Sequence, residues 1–376
     1  MKSLRIPALL ALGCLSCGLL FRVDAQQGPK SQSSETVAKP RKKDAPPDAE
    51  EPKIPSKFSK KDKDIPEGLP TFKSDVTTVQ VDVAVLDNKG RFIPKIPGGN
   101  FRILEDNVPQ QLTSFNTGGE APMTVALVIE FSNLFQSYWT EGWYETLTAA
   151  YGFVELLKPE DYVAVIAYDM RSEILSDFTT DRSKTQEAMQ RLRIAAFSES
   201  NLYDALVDTA DRMSGIEGRK AIVLVASGRD TFSKLTFDKA RKGIQNAAVP
   251  IYAISILQAF RARYDANMGA LARLDFLQAD NQLRTFSKET GGQAFFPRFF
   301  GEYPSIYRSI TEALRNQYAL AYHPTNQARD GKFRKIKVEL VDPKTNEPLR
   351  IVDEKGKALK YQVIAKPGYT APREVE

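Results

Sequence analysis

Met123-Thr124-Val125-Ala126-Leu127-Val128-Ile129-Glu130-Phe131-Ser132-Asn133-Leu134-Phe135 is the stretch whose reading decides the fold. Val125 to Ile129 is an unbroken apolar run that stops abruptly at Glu130. A strand apolar on both faces belongs in a parallel sheet covered by helices. Ligands in such sheets bind beyond the carboxyl ends of the strands. Glu130 and Ser132 therefore fall where a binding site is expected.

Working outward, further buried strands are expected at Tyr162–Tyr168, Ala221–Val225 and Ile251–Ile256. Helical spacing separates them: Leu202, Leu206, Ala210 and Met213; Ala240, Ile244 and Ala247; Ile306, Ile310 and Leu314. This alternation predicts a doubly wound, mostly parallel α/β sheet over 121–318. Arg171 to Thr179 adds a strand directly after a strand, hence an antiparallel edge. Gln258 to Asp280 reads as an insertion of irregular helix.

On either side the pattern changes. Val79, Val81, Val83 and Val85 alternate with more polar residues, and Asp87-Asn88-Lys89-Gly90 signals a turn. Ile336, Val338 and Leu340 alternate with Lys335, Lys337 and Glu339. Neither end has enough strands to stand alone. The segments 71–118 and 319–376 are expected to pack together as one split β-sandwich-like module.

The N-terminus places the chain outside the cytoplasm. Lys2 and Arg5 precede an apolar run from Ala8 to Phe21, and Val23-Asp24-Ala25 ends in a small residue, the pattern of a signal peptide over 1–25. A lipoprotein anchor at Cys14 is the alternative. Residues 26–70, rich in Lys, Pro and scattered acids, read as a disordered linker. Cys14 and Cys17 both lie in the leader, so a chain cleaved near Ala25 has no cysteine for disulfides, thiolate nucleophiles or thiolate metal sites. The single histidine, His323, lacks the neighbours of a triad or zinc site. Net charge is +5, with no sign of concentration in a folded patch, and no aromatic residues are interleaved with the basic linker. Nucleic acid is not expected as a partner.

Three sheet-edge loops converge in this topology: Glu130, Ser132 and Leu134; Ser198-Glu199-Ser200-Asn201; and Ser227-Gly228-Arg229-Asp230. With them go VQVDVAVLDNKGRFIPKI (79–96), FRILEDNVPQQLTSF (101–115), NLYDAL (201–206), KETGGQAFF (288–296) and YALAYHPTNQARDGKFRKIKVEL (318–340). In this order, over about Phe72 to Pro372, the chain resembles the von Willebrand factor A-type domain. More narrowly it resembles the exported von Willebrand A-related proteins of acidobacteria.

The resemblance implies a Rossmann-like fold and protein binding through a metal-ion-dependent adhesion site, built from an Asp-x-Ser-x-Ser turn, a Thr and a further Asp. Carried onto this chain the set becomes Glu130, Ser132, Ser200, Ser227 and nearby Asp230, with Leu134 replacing the second Ser. One carboxylate and a few hydroxyls make a degenerate site for Mg²⁺ or Mn²⁺. The expectation is a secreted, non-enzymatic adhesion module binding a protein partner through Glu130, Leu134, Phe135, Ser200 and Arg229. Two alternatives stay open: adhesion with the divalent cation retained, and a glycoside hydrolase pairing Glu130 with Asp230.

Simpler readings stand beside these. Glu130 is then an exposed acid bonded to the Asn201 helix start, Ser200 is that helix's N-cap, and Ser227 to Asp230 is an ordinary turn. Lys288-Glu289-Thr290-Gly291-Gly292 lacks the context of a phosphate loop and is expected to turn a helix into a strand. Trp139, Trp143, Ala150 and Val154 share a helix face, so the aromatics there are expected mostly in the core or its rim.

Overall fold

The valine-rich run is one strand among three sheets in the computed structural model of the chain. The structure describes residues 78–373 apart from 89, 119–120, 133–139, 193–196, 265, 267 and 353–355. Leu134, Phe135 and Trp139, the leader with its cysteines and the 26–70 linker lie outside the described residues. All described residues fall in one compact unit.

The central sheet has the order β10-β9-β8-β5-β6-β7. Its strands are β5 (Met123–Glu130), β6 (Tyr162–Tyr168), β7 (Ser172–Thr179), β8 (Arg219–Ala226), β9 (Ile251–Ser255) and β10 (Ala294–Phe295). All pairings are parallel except the β6–β7 edge. β5 and β8 lie side by side in the middle, where the chain reverses its direction of winding. That is the switch point at which doubly wound sheets open a crevice.

Both faces of β5 are covered, which explains the unbroken apolar run. Val125, Leu127 and Ile129 face helices α1 (Thr140–Leu156), α2 (Arg182–Gln190) and α7 (Tyr303–Asn316), with Trp143, Phe153 and Ile310 in the same core. Ala126 and Val128 face α3 (Leu202–Ser214), α4 (Phe237–Ala247) and α6 (Ala270–Thr290). Asp161 closes the lower end. It is buried, accepts from the Met123 and Lys158 amides at 2.9 and 2.7 Å, and is paired with Arg315.

Two antiparallel sheets flank this unit. One has the order β13-β1-β11-β4, from Tyr361–Ala365, Val79–Asp87, Tyr318–Tyr322 and Leu112–Asn116. The other has the order β14-β12-β2-β3, from Gly368–Thr370, Phe333–Leu340, Phe101–Glu105 and Val108–Gln110. Their facing residues share one core: Val81, Val83 and Val85 of β1 and Leu320 of β11 pack with Ile103 of β2 and Ile336 of β12. Tyr322 Oη donates to Glu105 across the sandwich at 2.6 Å. Strands from both ends of the chain thus build one sandwich, as the alternating valines require.

One expectation fails here. Within Gln258 to Asp280 two regular stretches stand out, α5 (Gln258–Tyr264) and, from Ala270, the first half of α6, a helix of 21 residues. Its misleading signal is Leu271, Leu274 and Leu277, which point outward; Leu271 is 85% exposed. Apolar residues on a solvent face blur the period on which a helix assignment rests. Lys288 to Gly292 does turn helix into strand, with Gly291 at φ 82° ending α6. Among the described residues no helix is long and apolar enough to cross a membrane.

Candidate functional site

Glu130 is the last residue of β5, beside Tyr168 of β6 and next to the β8 end that runs into Ser227. The residue is only 3% exposed. This corrects the reading of an exposed acid bonded to the Asn201 helix start. The carboxylate instead accepts from the Ser227 amide at 2.6 Å, from Ser132 Oγ at 3.2 Å and from Tyr168 Oη at 3.4 Å. Burial raises its pKa above the usual carboxylate range, against the lowering effect of these donors. The Tyr168 hydroxyl is pushed well above its ordinary value, chiefly by burial and then by the adjacent Glu130.

The other expected residues are brought to the same place but used differently. Ser200 is not an N-cap: α3 begins after Asn201, which makes no side-chain cap. Ser200 Oγ donates to the Arg229 carbonyl at 3.0 Å, its amide donates to Thr231 Oγ1 at 2.9 Å, and its carbonyl accepts from the Thr231 amide at 2.8 Å. These bonds stitch the loop before α3 to the loop after β8. Ser227 Oγ accepts from the Arg229 amide at 3.1 Å. Asp230 supplies the cap that α3 lacks locally, accepting from the Tyr203 amide at 3.2 Å and from Ser233 Oγ at 2.5 Å. Burial raises the Asp230 pKa against these hydrogen bonds. Asp204, in the first turn of α3, accepts from the Lys234 and Leu235 amides, both at 3.0 Å.

Gly228 holds this corner tight. Its φ is 84°, and a Cβ there would lie 2.5 Å from the Ala279 carbonyl of α6. Only glycine permits both the left-handed backbone and the close approach.

Above the buried serines is a cavity of about 320 Å³. Its floor includes Glu130, Ser132, Ser200 and Ser227; its wall includes Leu257, Phe260 of α5 and Phe276 of α6. At the rim Arg229 pairs with Asp275 at 3.0 Å. Sequence reasoning placed the floor but missed the wall and Tyr168. Tyr168 was visible as the strand-end neighbour of Glu130, and Phe260 and Phe276 lay inside the segment read as irregular. Of the expected partner-contacting residues that are described, Glu130 and Ser200 are buried in the floor and Arg229 reaches the rim; Leu134 and Phe135 lie outside the described residues.

The donor set offers a divalent cation little free carboxylate oxygen. Such ions want several free oxygens, with carboxylates in the ionised form. Both Glu130 oxygens already accept internal hydrogen bonds, from the Ser227 amide and Tyr168 Oη on one and from Ser132 Oγ on the other. Oδ1 of Asp230 is committed to the Tyr203 amide of α3 and to Ser233. Among the described residues no group of three His, Cys, Asp or Glu side chains stands together as a metal site.

No family model and no curated protein matches the chain. Solved structures resemble it at low identity. Proximal thread matrix protein 1 from the mussel byssus shares 12% identity at a TM-score of 0.42, covering 56% of this chain and 51% of its own. A von Willebrand factor type A protein from Catenulispora acidiphila shares 10% at 0.40, covering 81% and 76%. The vWF domain of the type V pili tip protein Mfa5 from Porphyromonas gingivalis shares 13% at 0.39, covering 54% and 98%. The chain spans about half the length of the mussel protein.

Proposed function

We propose that the chain is a non-enzymatic protein-interaction module that engages its partner at the switch-point cavity without a metal ion. The observation that carries this reading is the state of Glu130: buried, and accepting from Ser227, Ser132 and Tyr168. A carboxylate so engaged braces the loops instead of offering a ligand. What remains open to a partner is the Leu257, Phe260 and Phe276 wall with the Arg229–Asp275 pair at its rim. A cavity of about 320 Å³ suits one large apolar side chain, with charged groups at the edge to orient it. The apolar leader ending at Ala25 and the linker of 26–70 support an exported protein held on a tether, with the sandwich of 71–118 and 319–376 as its base.

Selection of displayed peptides on the full chain tests the reading. Selected peptides should share an apolar anchor, bind equally in EDTA and in Mg²⁺, and be lost with Phe276→Asp. Peptides that share an acidic residue and bind only with Mg²⁺ would overturn it in favour of metal-dependent adhesion.

A further inference from the structure

Where α6 faces β12 and the edge strand β13 runs a long cleft formed by two adjoining cavities of about 890 and 580 Å³, which share Lys288, Ile336, Lys337 and Pro367. Six basic side chains line them: Arg241, Arg284, Lys288, Lys335, Lys337 and Lys366. The lining acids are two, Asp106 and Glu289. Both acids are engaged. Asp106 accepts from the Lys335 amide at 2.9 Å, and Glu289 is paired with Arg241 and accepts from Gln245 at 3.0 Å. Lys337 reaches Glu339 at 2.7 Å, but Glu339 is shared with Arg102 at 2.6 Å. Lys366 is partly offset by Asp82. The cleft is thus locally basic within a folded part whose charges nearly balance, which the sequence had given no reason to expect.

The geometry narrows what fills it. β13 ends one antiparallel sheet and β10 ends the central sheet, and both border the smaller cavity through Gln362 to Ala365 and Ala294. An edge strand presents unpaired amides and carbonyls, a template for strand addition. No aromatic side chain lines this smaller cavity among the described residues, and Phe333 lines the larger one, so sugars and bases find no stacking platform along β13. Ala294 and Ile364 instead offer apolar contacts beside Arg284, Lys288 and Lys337. Arg284 is itself braced, its guanidinium 3.7 Å above the Phe296 ring.

We propose that this cleft binds an extended, acidic segment of a partner protein as an added strand along β13, its alternate carboxylates set against Arg284, Lys288 and Lys337. This is a second surface, separate from the switch-point cavity, and it stands or falls independently.

Fluorescence anisotropy of the full chain with a labelled peptide alternating Glu and Val, at low salt, tests it. Saturable binding should weaken as salt rises and fall by about tenfold or more in the Lys288→Glu, Lys337→Glu double variant. Both lysines are exposed, so the melting midpoint should hold; the Gln pair replaces it if it does not. The same peptide methylated on alternate backbone nitrogens should lose binding to a similar degree. Undiminished binding in the charge variants overturns the site. Undiminished binding of the methylated peptide overturns strand addition. Tighter binding of polyglucuronate or single-stranded DNA through the same lysines overturns the peptide as occupant.

Discussion

Replacing Glu130 by alanine separates a structural carboxylate from a metal ligand. The change removes the acceptor for three buried donors. The two hydroxyls can turn, and Tyr168 already has Ser200 beside it. The Ser227 amide cannot turn. Leaving it buried without an acceptor costs about 1–3 kcal/mol, and the lost hydroxyl bonds add about 1 kcal/mol. The sum, about 2–4 kcal/mol, lowers the melting midpoint by roughly 5–15 °C for a domain of this size. Glu130→Gln keeps an acceptor for the Ser227 amide, and Ser132 can reverse its hydroxyl to accept from the new amide. Its loss should stay below about 1 kcal/mol. Calorimetry of wild type and both variants, each in EDTA and in millimolar Mg²⁺, reads the outcome. The two buffers should give the same differences. An ion held at 100 times its dissociation constant adds about 2.7 kcal/mol. A wild-type midpoint that rises by that amount in Mg²⁺, with the rise lost in Glu130→Ala, would refute the bracing role.

Three further outcomes follow from the same contacts. Because burial raises the Glu130 pKa above its ordinary value of 4.5, the folded state binds the proton more readily than the unfolded one. Stability contributed by this site is therefore highest below about pH 4.5 and falls as pH rises toward the folded pKa. Urea unfolding at a series of pH values should show Glu130→Gln gaining on wild type as pH rises through that window, and no gain would contradict the burial effect. Gly228→Ala forces a Cβ against the Ala279 carbonyl at a left-handed φ; a loss of about 1–3 kcal/mol is expected in the denaturant midpoint, and an unchanged midpoint would mean the corner relaxes. Asp161→Ala strips a buried partner from Arg315 and an acceptor from the Met123 amide, so about 3–5 kcal/mol should be lost, whereas Leu274→Glu on the exposed face of α6 should change stability by less than about 0.5 kcal/mol.

The central sheet was legible because its strands are buried on both faces, leaving runs such as Val125–Ile129 with no polar interruption. The β7 edge was legible because no helical stretch separates it from β6. The sandwich could be inferred because β1 and β12 each carry one apolar face with too few local partners. The site was legible as a location and not as chemistry. Glu130 looks exposed in sequence because nothing local shows that the Ser227 amide, 97 residues away, and Tyr168, 38 residues away, will close over it. Asp230 looks like a turn residue because the helix it caps begins earlier in the chain. The basic cleft was invisible for a similar reason: Lys288 and Lys337, 49 residues apart in sequence, come to line the same cavities only in the folded chain.

The pairing of β4 with β11 has a consequence for the order of events during synthesis. Leu112–Asn116 finds its partner in Tyr318–Tyr322, and the strands that flank β1 are β11 and β13. About 200 residues must be made between them, which at ribosomal rates takes roughly 10–40 s. Throughout that interval Val79, Val81, Val83 and Val85 lack the strands that will flank them, while β2 and β3 can pair at once as a hairpin. The α/β insert can complete its own sheet before the frame around it closes. A nascent chain stalled before Tyr318 should thus carry a folded insert beside an unprotected valine strand, the state in which a holdase has most to grip.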